Sequence, residues 1–193
     1  MKEGILKDFK NLIRKISLQA IKINSNIETL NIKKYSDESY RGKDIGRNIS
    51  VGHTASEIMK LTYIIRYDET TFSHFAKTGL ILELKDLNLN VINDFAKEFI
   101  NLCQCGIFKP FEGEDNQSVS IPFSCSADNI KFLSQENSRF PLIEDQFFVE
   151  DEKSKDHFSC FVNIEIFDEK MVSDVLENID EDYCLETRSE IIF

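Results

Sequence analysis

Residues 90–105 carry apolar side chains at a helical period, and a helix this apolar needs a broad surface to pack against. At about 100° per residue, Val91, Ile92, Phe95, Phe99 and Leu102 fall on one face, while Asp94, Glu98 and Asn101 line its flank. A carboxylate and a carboxamide three residues apart on such an edge have two readings. They are a solvated flank, or a polar strip that meets a partner.

Composition narrows the class. The chain has 193 residues and 41% hydrophobic content, enough for one sizeable core, so a single domain over 1–193 is expected. The formal charge of -11 argues against nucleic acid, since no basic cluster is present to release counterions from phosphates. The same charge repels an anionic membrane and disfavours free phosphorylated small molecules, unless a local basic pocket escapes the average. The first residues alternate charged and apolar side chains, without a signal-peptide core or spanning segment, so a soluble, cytoplasmic protein with no membrane insertion is expected.

Five cysteines at irregular spacing fit neither a disulfide framework nor a zinc site, and His53, His74 and His157 lie far apart. Cys103-Gln-Cys105 lacks zinc-knuckle spacing and has no second pair. The cysteines are read as small, partly buried thiols, and no intrinsic cofactor or metal is expected.

Along the chain, the periodicity predicts a first amphipathic helix over 5–22, covering a sheet, and a strand over 26–35. Residues 41–52, with Gly42 and Gly46, read as a turn region. A strand follows over 57–67, then a short helix over 70–79 ended by Gly79, and the long helix closed near Gly106 and Pro110. Residues 119–125 read as a strand whose Pro122 places it at an edge or a bulge. The weakly periodic, acidic stretch 134–155 reads as an irregular surface insertion. A strand over 158–167, a helix over 171–179 and an acidic tail complete the chain. The fold class is α+β, a sheet with helices packed on it.

At this point the long helix resembles the signature of the CheC/CheX/FliY chemotaxis phosphatases: an acid or serine, three residues, Glu, two residues, Asn, and a proline further on. Asp94, Glu98 and Asn101 match that spacing, and Pro122 in Val-Ser-Ile-Pro-Phe stands slightly early for the strand proline. Cys105 stands where the family commonly has glycine, with Gly106 next. A second Glu-x2-Asn at Glu28 and Asn31 has no acid or serine four residues earlier, and strand alternation would turn its side chains to opposite faces. With one copy of the motif, the chain is most similar to the single-motif CheX branch, which implies a CheX/CheC-like α+β fold.

The resemblance implies a phosphatase acting on the aspartyl phosphate of a CheY-like response-regulator receiver domain in chemotaxis. Asn101 would orient the attacking water, Glu98 would pair with the receiver's lysine, and Asp94 would be a supporting or helix N-terminal acid. The magnesium ion would belong to the receiver. Two rivals stay open: a non-catalytic receiver-binding or flagellar-switch module of the same fold, and an unrelated α+β protein whose polar strip is only solvated. The apolar strand over 158–167, if it lies at an edge, also suggests a homodimer.

Overall fold

The computed structural model describes residues 3–34, 46–80, 86–111, 118–119, 121–126, 142–179 and 183–185. Helix α1 (Glu3–Ser25) buries Phe9, Leu12, Ile13, Ile16, Ala20 and Ile21, the spacing of one helical face. Strands β1 (Leu30–Lys34), β2 (Asn48–Ala55) and β3 (Met59–Tyr67) follow, then helices α2 (Glu69–Leu80) and α3 (Leu89–Phe108), which ends in a 3-10 turn (Lys109–Phe111). Strands β4 (Ser118–Val119), β5 (Phe123–Ser126), β6 (Leu142–Asp151) and β7 (His157–Ile166) precede helix α4 (Glu169–Asn178).

All the strand pairings are antiparallel, in the order β1-β6-β7-β3-β2-β4, with β5 also on the outer edge of β2. Strand β3 alternates strictly, burying Met59, Leu61, Tyr63, Ile65 and Tyr67 beneath the helices. Aromatic rings from four elements meet there. Phe158 of β7 stands edge-on to Phe72 and Phe75 of α2 at 5.0 and 5.3 Å and to Phe99 of α3 at 5.5 Å, while Tyr67 stacks on Phe72 at 4.4 Å. This cluster fixes the height of α3 above the sheet.

Several expectations need correction. The turn region read over 41–52 is in part strand, because Asn48–Ala55 forms β2; residues 41–45 lie outside the described ones. The irregular insertion read over 134–155 contains β6, and residues 152–155 belong to its turn into β7; residues 134–141 lie outside the described ones. Acidic residues hid the alternation of β6. Asp145 faces the helix layer because the Arg14 guanidinium of α1 grips it with two bonds of 2.8 and 2.7 Å. Asp151 is buried because the Thr29 hydroxyl donates to it at 2.6 Å and the His74 ring lies 3.0 Å away.

The strand proposed to pair across an edge is β7, and it lies between β6 and β3 with both sides occupied. Among the described residues the sheet edges are instead β1, which carries Lys33 and Lys34, and the interrupted strand β4/β5. There the reading of Pro122 holds: Val51 to Thr54 on β2 spans three steps while Phe123 to Val119 spans four, so one extra residue is accommodated beside the proline. The acidic tail falls mostly on residues outside the described ones. No helix among the described residues is long and apolar enough to cross a membrane.

Candidate functional site

The long helix starts one turn ahead of its polar strip. Asn88 caps it, its side-chain oxygen accepting from the N–H groups of Asn90 at 3.0 Å and Val91 at 3.2 Å. Asp94 therefore lies in the second turn, not at the N-terminus as one of its two expected roles required. Its carboxylate accepts from the Lys97 ammonium at 2.8 Å, an exposed pair within the helix.

The remainder of the strip stands as the spacing implied. Phe95 and Phe99 are buried, Asp94 is exposed, and Glu98 and Asn101 are half-buried on the flank. Among the described residues, neither the Glu98 carboxylate nor the Asn101 carboxamide has a hydrogen-bond or ion-pair partner, whereas Asp94 is committed to Lys97. The helix brings all three onto one line, and Cys105 extends it. Positions 94, 98, 101 and 105 are separated by four, three and four residues, so the line covers about three turns, or roughly 16 Å.

Three devices hold that helix still. Gly52 of β2 faces it so closely that a Cβ there would stand 2.5 Å from Ile100 Cγ2 and 2.7 Å from the Gln104 side-chain oxygen. The Tyr67 hydroxyl donates to the Asn93 side-chain oxygen at 2.7 Å, lies 3.0 Å from the Ser50 hydroxyl, and Ser50 lies 2.6 Å from that of Ser124. Helix, β3, β2 and β5 are thereby joined in one chain of polar contacts, and burial pushes the Tyr67 phenol above its ordinary pKa, keeping it a donor. At the other side, Asn24 of α1 donates to the Phe95 carbonyl at 3.2 Å. Sequence reading missed Asn93 and Gly52, whose roles are tertiary and leave no signal in the spacing.

The second Glu-x2-Asn offers no such strip. Glu28 precedes β1, and Asn31 on β1 donates to the Glu152 carboxylate at 2.9 Å. The thiols are of three kinds rather than uniformly part-buried: Cys103 and Cys160 are buried, Cys125 is half-buried, and Cys105 and Cys184 are exposed. Burial pushes the Cys103 and Cys160 thiols well above their ordinary range, which keeps them protonated. No group of three or more His, Cys, Asp or Glu side chains among the described residues is arranged to hold a metal ion.

Sequence comparison finds no matching family model and no matching curated protein. Comparison of folds finds relatives. A chemotactic CheC-like protein from Shewanella oneidensis MR-1 superposes with a TM-score of 0.57 and 15% identity over 82% of this chain and 98% of its own. CheX from Vibrio vulnificus gives 0.56 and 13% over 81% and 96%. A chain of the CheX-CheY-BeF3-Mg2+ complex from Borrelia burgdorferi gives the same TM-score of 0.56 and identity of 13%, again over 81% and 96%. At such identities the likeness establishes the architecture, the α+β fold of CheX and CheC-like proteins.

Proposed function

We propose, for a chain with the fold of CheX and CheC-like proteins, that it accelerates hydrolysis of the aspartyl phosphate on a CheY-like receiver domain. One observation carries the reading: Glu98 and Asn101 stand one turn apart on the outer flank of an anchored helix, both half-buried and their polar groups uncommitted among the described residues. The likeness to a chain of the CheX-CheY-BeF3-Mg2+ complex supports the choice of partner.

Hydrolysis needs a water placed in line with the phosphorus–oxygen bond to the aspartate. The water oxygen bonds to phosphorus, that bond breaks, and the receiver's carboxylate leaves with the electron pair. A carboxamide both donates and accepts hydrogen bonds without carrying charge, so Asn101 holds the water in that line. Glu98, one turn earlier, makes a charge-assisted contact to a lysine of the receiver and fixes the register of docking. Magnesium, held by the receiver, neutralises charge on the phosphoryl group. Asp94 supports the strip through Lys97 and has no chemical role.

The test is receiver dephosphorylation with purified variants. Asn101→Ala is expected to abolish most of the acceleration and leave the complex intact, because the lost group acts on the water. Glu98→Ala should weaken both docking and turnover, the contact contributing about 1.5 to 3 kcal/mol. Chelating magnesium should stop the reaction in every background without changing the melting temperature of this protein alone. Dephosphorylation at the wild-type rate by Asn101→Ala would leave a receiver-binding module without catalysis.

A further inference from the structure

The inward row of β1 ends in a charge. Leu30 is buried, Ile32 packs against the core, and Lys34 follows on the same face, opposite Phe147 of β6 in the register. Across from it, Lys7, Lys10 and Arg14 stand at helical spacing on α1. The four cations line one cleft of about 620 Å³, whose wall also includes Leu6 and Asn11.

Charge in this cleft is unbalanced. Arg14 is held by Asp145, its guanidinium lying 6.0 Å from the centre of the Phe147 ring. Lys7, Lys10 and Lys34 have no ion-pair or hydrogen-bond partner among the described residues, whereas Lys60, Lys97 and Lys155 meet carboxylates at 3.6, 2.8 and 3.8 Å. No carboxylate among the described residues lines the cleft, although the chain carries a formal charge of -11. Like charges converging on one cavity repel until an anion enters it, so this is a local basic pocket that escapes the average.

We propose that the cleft binds a small molecule carrying two or more linked phosphate groups, engaged by Lys7 and Lys10 from the helix and by Lys34 from the sheet. Ammonium groups act as point charges on phosphate oxygens, and the three of them match the roughly three negative charges of a linked phosphate pair. The volume lies in the range of small-molecule sites and exceeds what one phosphate fills. Leu6 and the lysine stems supply apolar surface for whatever the phosphates are attached to. The site is separate from the polar strip. Asn24 of α1 bonds to the Phe95 carbonyl near the start of α3, while Phe9 meets Phe111 beyond its end at 5.5 Å, so the two helices run antiparallel. The first turns of α1, and the cleft with them, lie past the C-terminal end of α3 and away from Glu98 and Asn101. Occupancy of the cleft is therefore independent of the receiver reading.

The experiment is calorimetric titration of the full chain with inorganic triphosphate, ATP and orthophosphate, without magnesium, and sedimentation of the same chain with vesicles containing phosphatidylinositol bisphosphate. The expected result is one-to-one binding of triphosphate in the micromolar range, with orthophosphate about a hundredfold weaker. ATP binding about tenfold more tightly than triphosphate would assign the Leu6 wall to a nucleoside, and equal affinity would assign the site to the phosphates alone; either upholds the proposal. Lys7→Gln combined with Lys34→Gln, both at exposed positions, should weaken triphosphate about tenfold at an unchanged melting temperature of the free protein. Lys22→Gln combined with Lys33→Gln removes the same charge outside the cleft and should leave the affinity as it is. No binding of triphosphate or ATP at about 1 mM, orthophosphate binding as tightly as triphosphate, or an equal loss in the two double variants would overturn the proposal. Binding confined to the vesicles would overturn it too, by making this face a membrane contact.

Discussion

The Tyr67 hydroxyl donates to the Asn93 side-chain oxygen at 2.7 Å, and through that contact the helix bearing Glu98 and Asn101 is bonded to the sheet one residue before the motif begins. Tyr67 also lies within hydrogen-bond distance of Ser50. Tyr67→Phe keeps the stacked ring on Phe72 and deletes only the hydroxyl. It should destabilise the protein by about 1 to 2 kcal/mol, read as a lower urea midpoint at unchanged slope. Amide exchange in the first half of α3 should rise more than in β7.

Gly52→Ala tests how closely α3 must sit. The added methyl meets Ile100 and Gln104, and Ile100 is a buried branched side chain with little room to move. The expected cost is about 1 to 3 kcal/mol from overpacking. If α3 shifts outward to accommodate the methyl, receiver dephosphorylation should fall even at temperatures where the fold remains intact.

Arg14 and Asp145 form a two-bond ion pair whose carboxylate is buried, with 4% side-chain exposure. Asp145→Ala strands the guanidinium against the sheet and should cost about 3 to 5 kcal/mol. Replacing both, as Arg14→Met with Asp145→Leu, should recover most of that loss in thermal denaturation. The pair would then act to set the register of β6 under α1 rather than to add net stability.

Asp151 gives a pH dependence. Burial pushes its carboxyl up, but hydrogen bonds from the Thr29 hydroxyl, the Lys153 N–H, the His74 ring and Ser154 outweigh this and hold it well below the usual carboxylate range. A depressed folded-state pKa contributes stability that is complete above the unfolded value, near about pH 4, and is lost as pH falls below it. The limiting slope is about 1.4 kcal/mol per pH unit for one proton. Asp151→Asn should be less stable at neutral pH and should show a shallower decline below about pH 4 than the wild type.

How much was legible follows from which contacts are local. The strip of Asp94, Glu98 and Asn101 could be placed because helical spacing alone puts the three on one flank. Strand β3 was legible because alternate burial is written in its side chains. Strand β6 was not, since Asp145 and Asp151 occupy inward positions that make sense only with Arg14 and Thr29 in place, each more than a hundred residues away in sequence. Gly52 fell inside the stretch read as a turn region, and Gly106 was read as closing the long helix. Their reason is tertiary, the close approach of α3 to β2 in one case and of Leu185 to α3 in the other. The central place of β7 could not be read from its own residues, because apolarity does not distinguish a strand covered on both sides from one inviting a neighbour.

That central place bears on how the chain emerges from the ribosome. The two innermost pairings of the sheet, β6 with β7 and β7 with β3, await residues 142–166. Until those are synthesised, β1 has no partner, β3 is open along one side, and the floor beneath Phe72, Phe75 and Phe99 lacks Phe158. A nascent chain that already contains the complete Glu98 and Asn101 helix therefore cannot yet seat it. The motif acquires its fixed presentation only once residues 142–166 have emerged, and fragments that stop after β5 expose apolar strand edges that attract chaperones or one another.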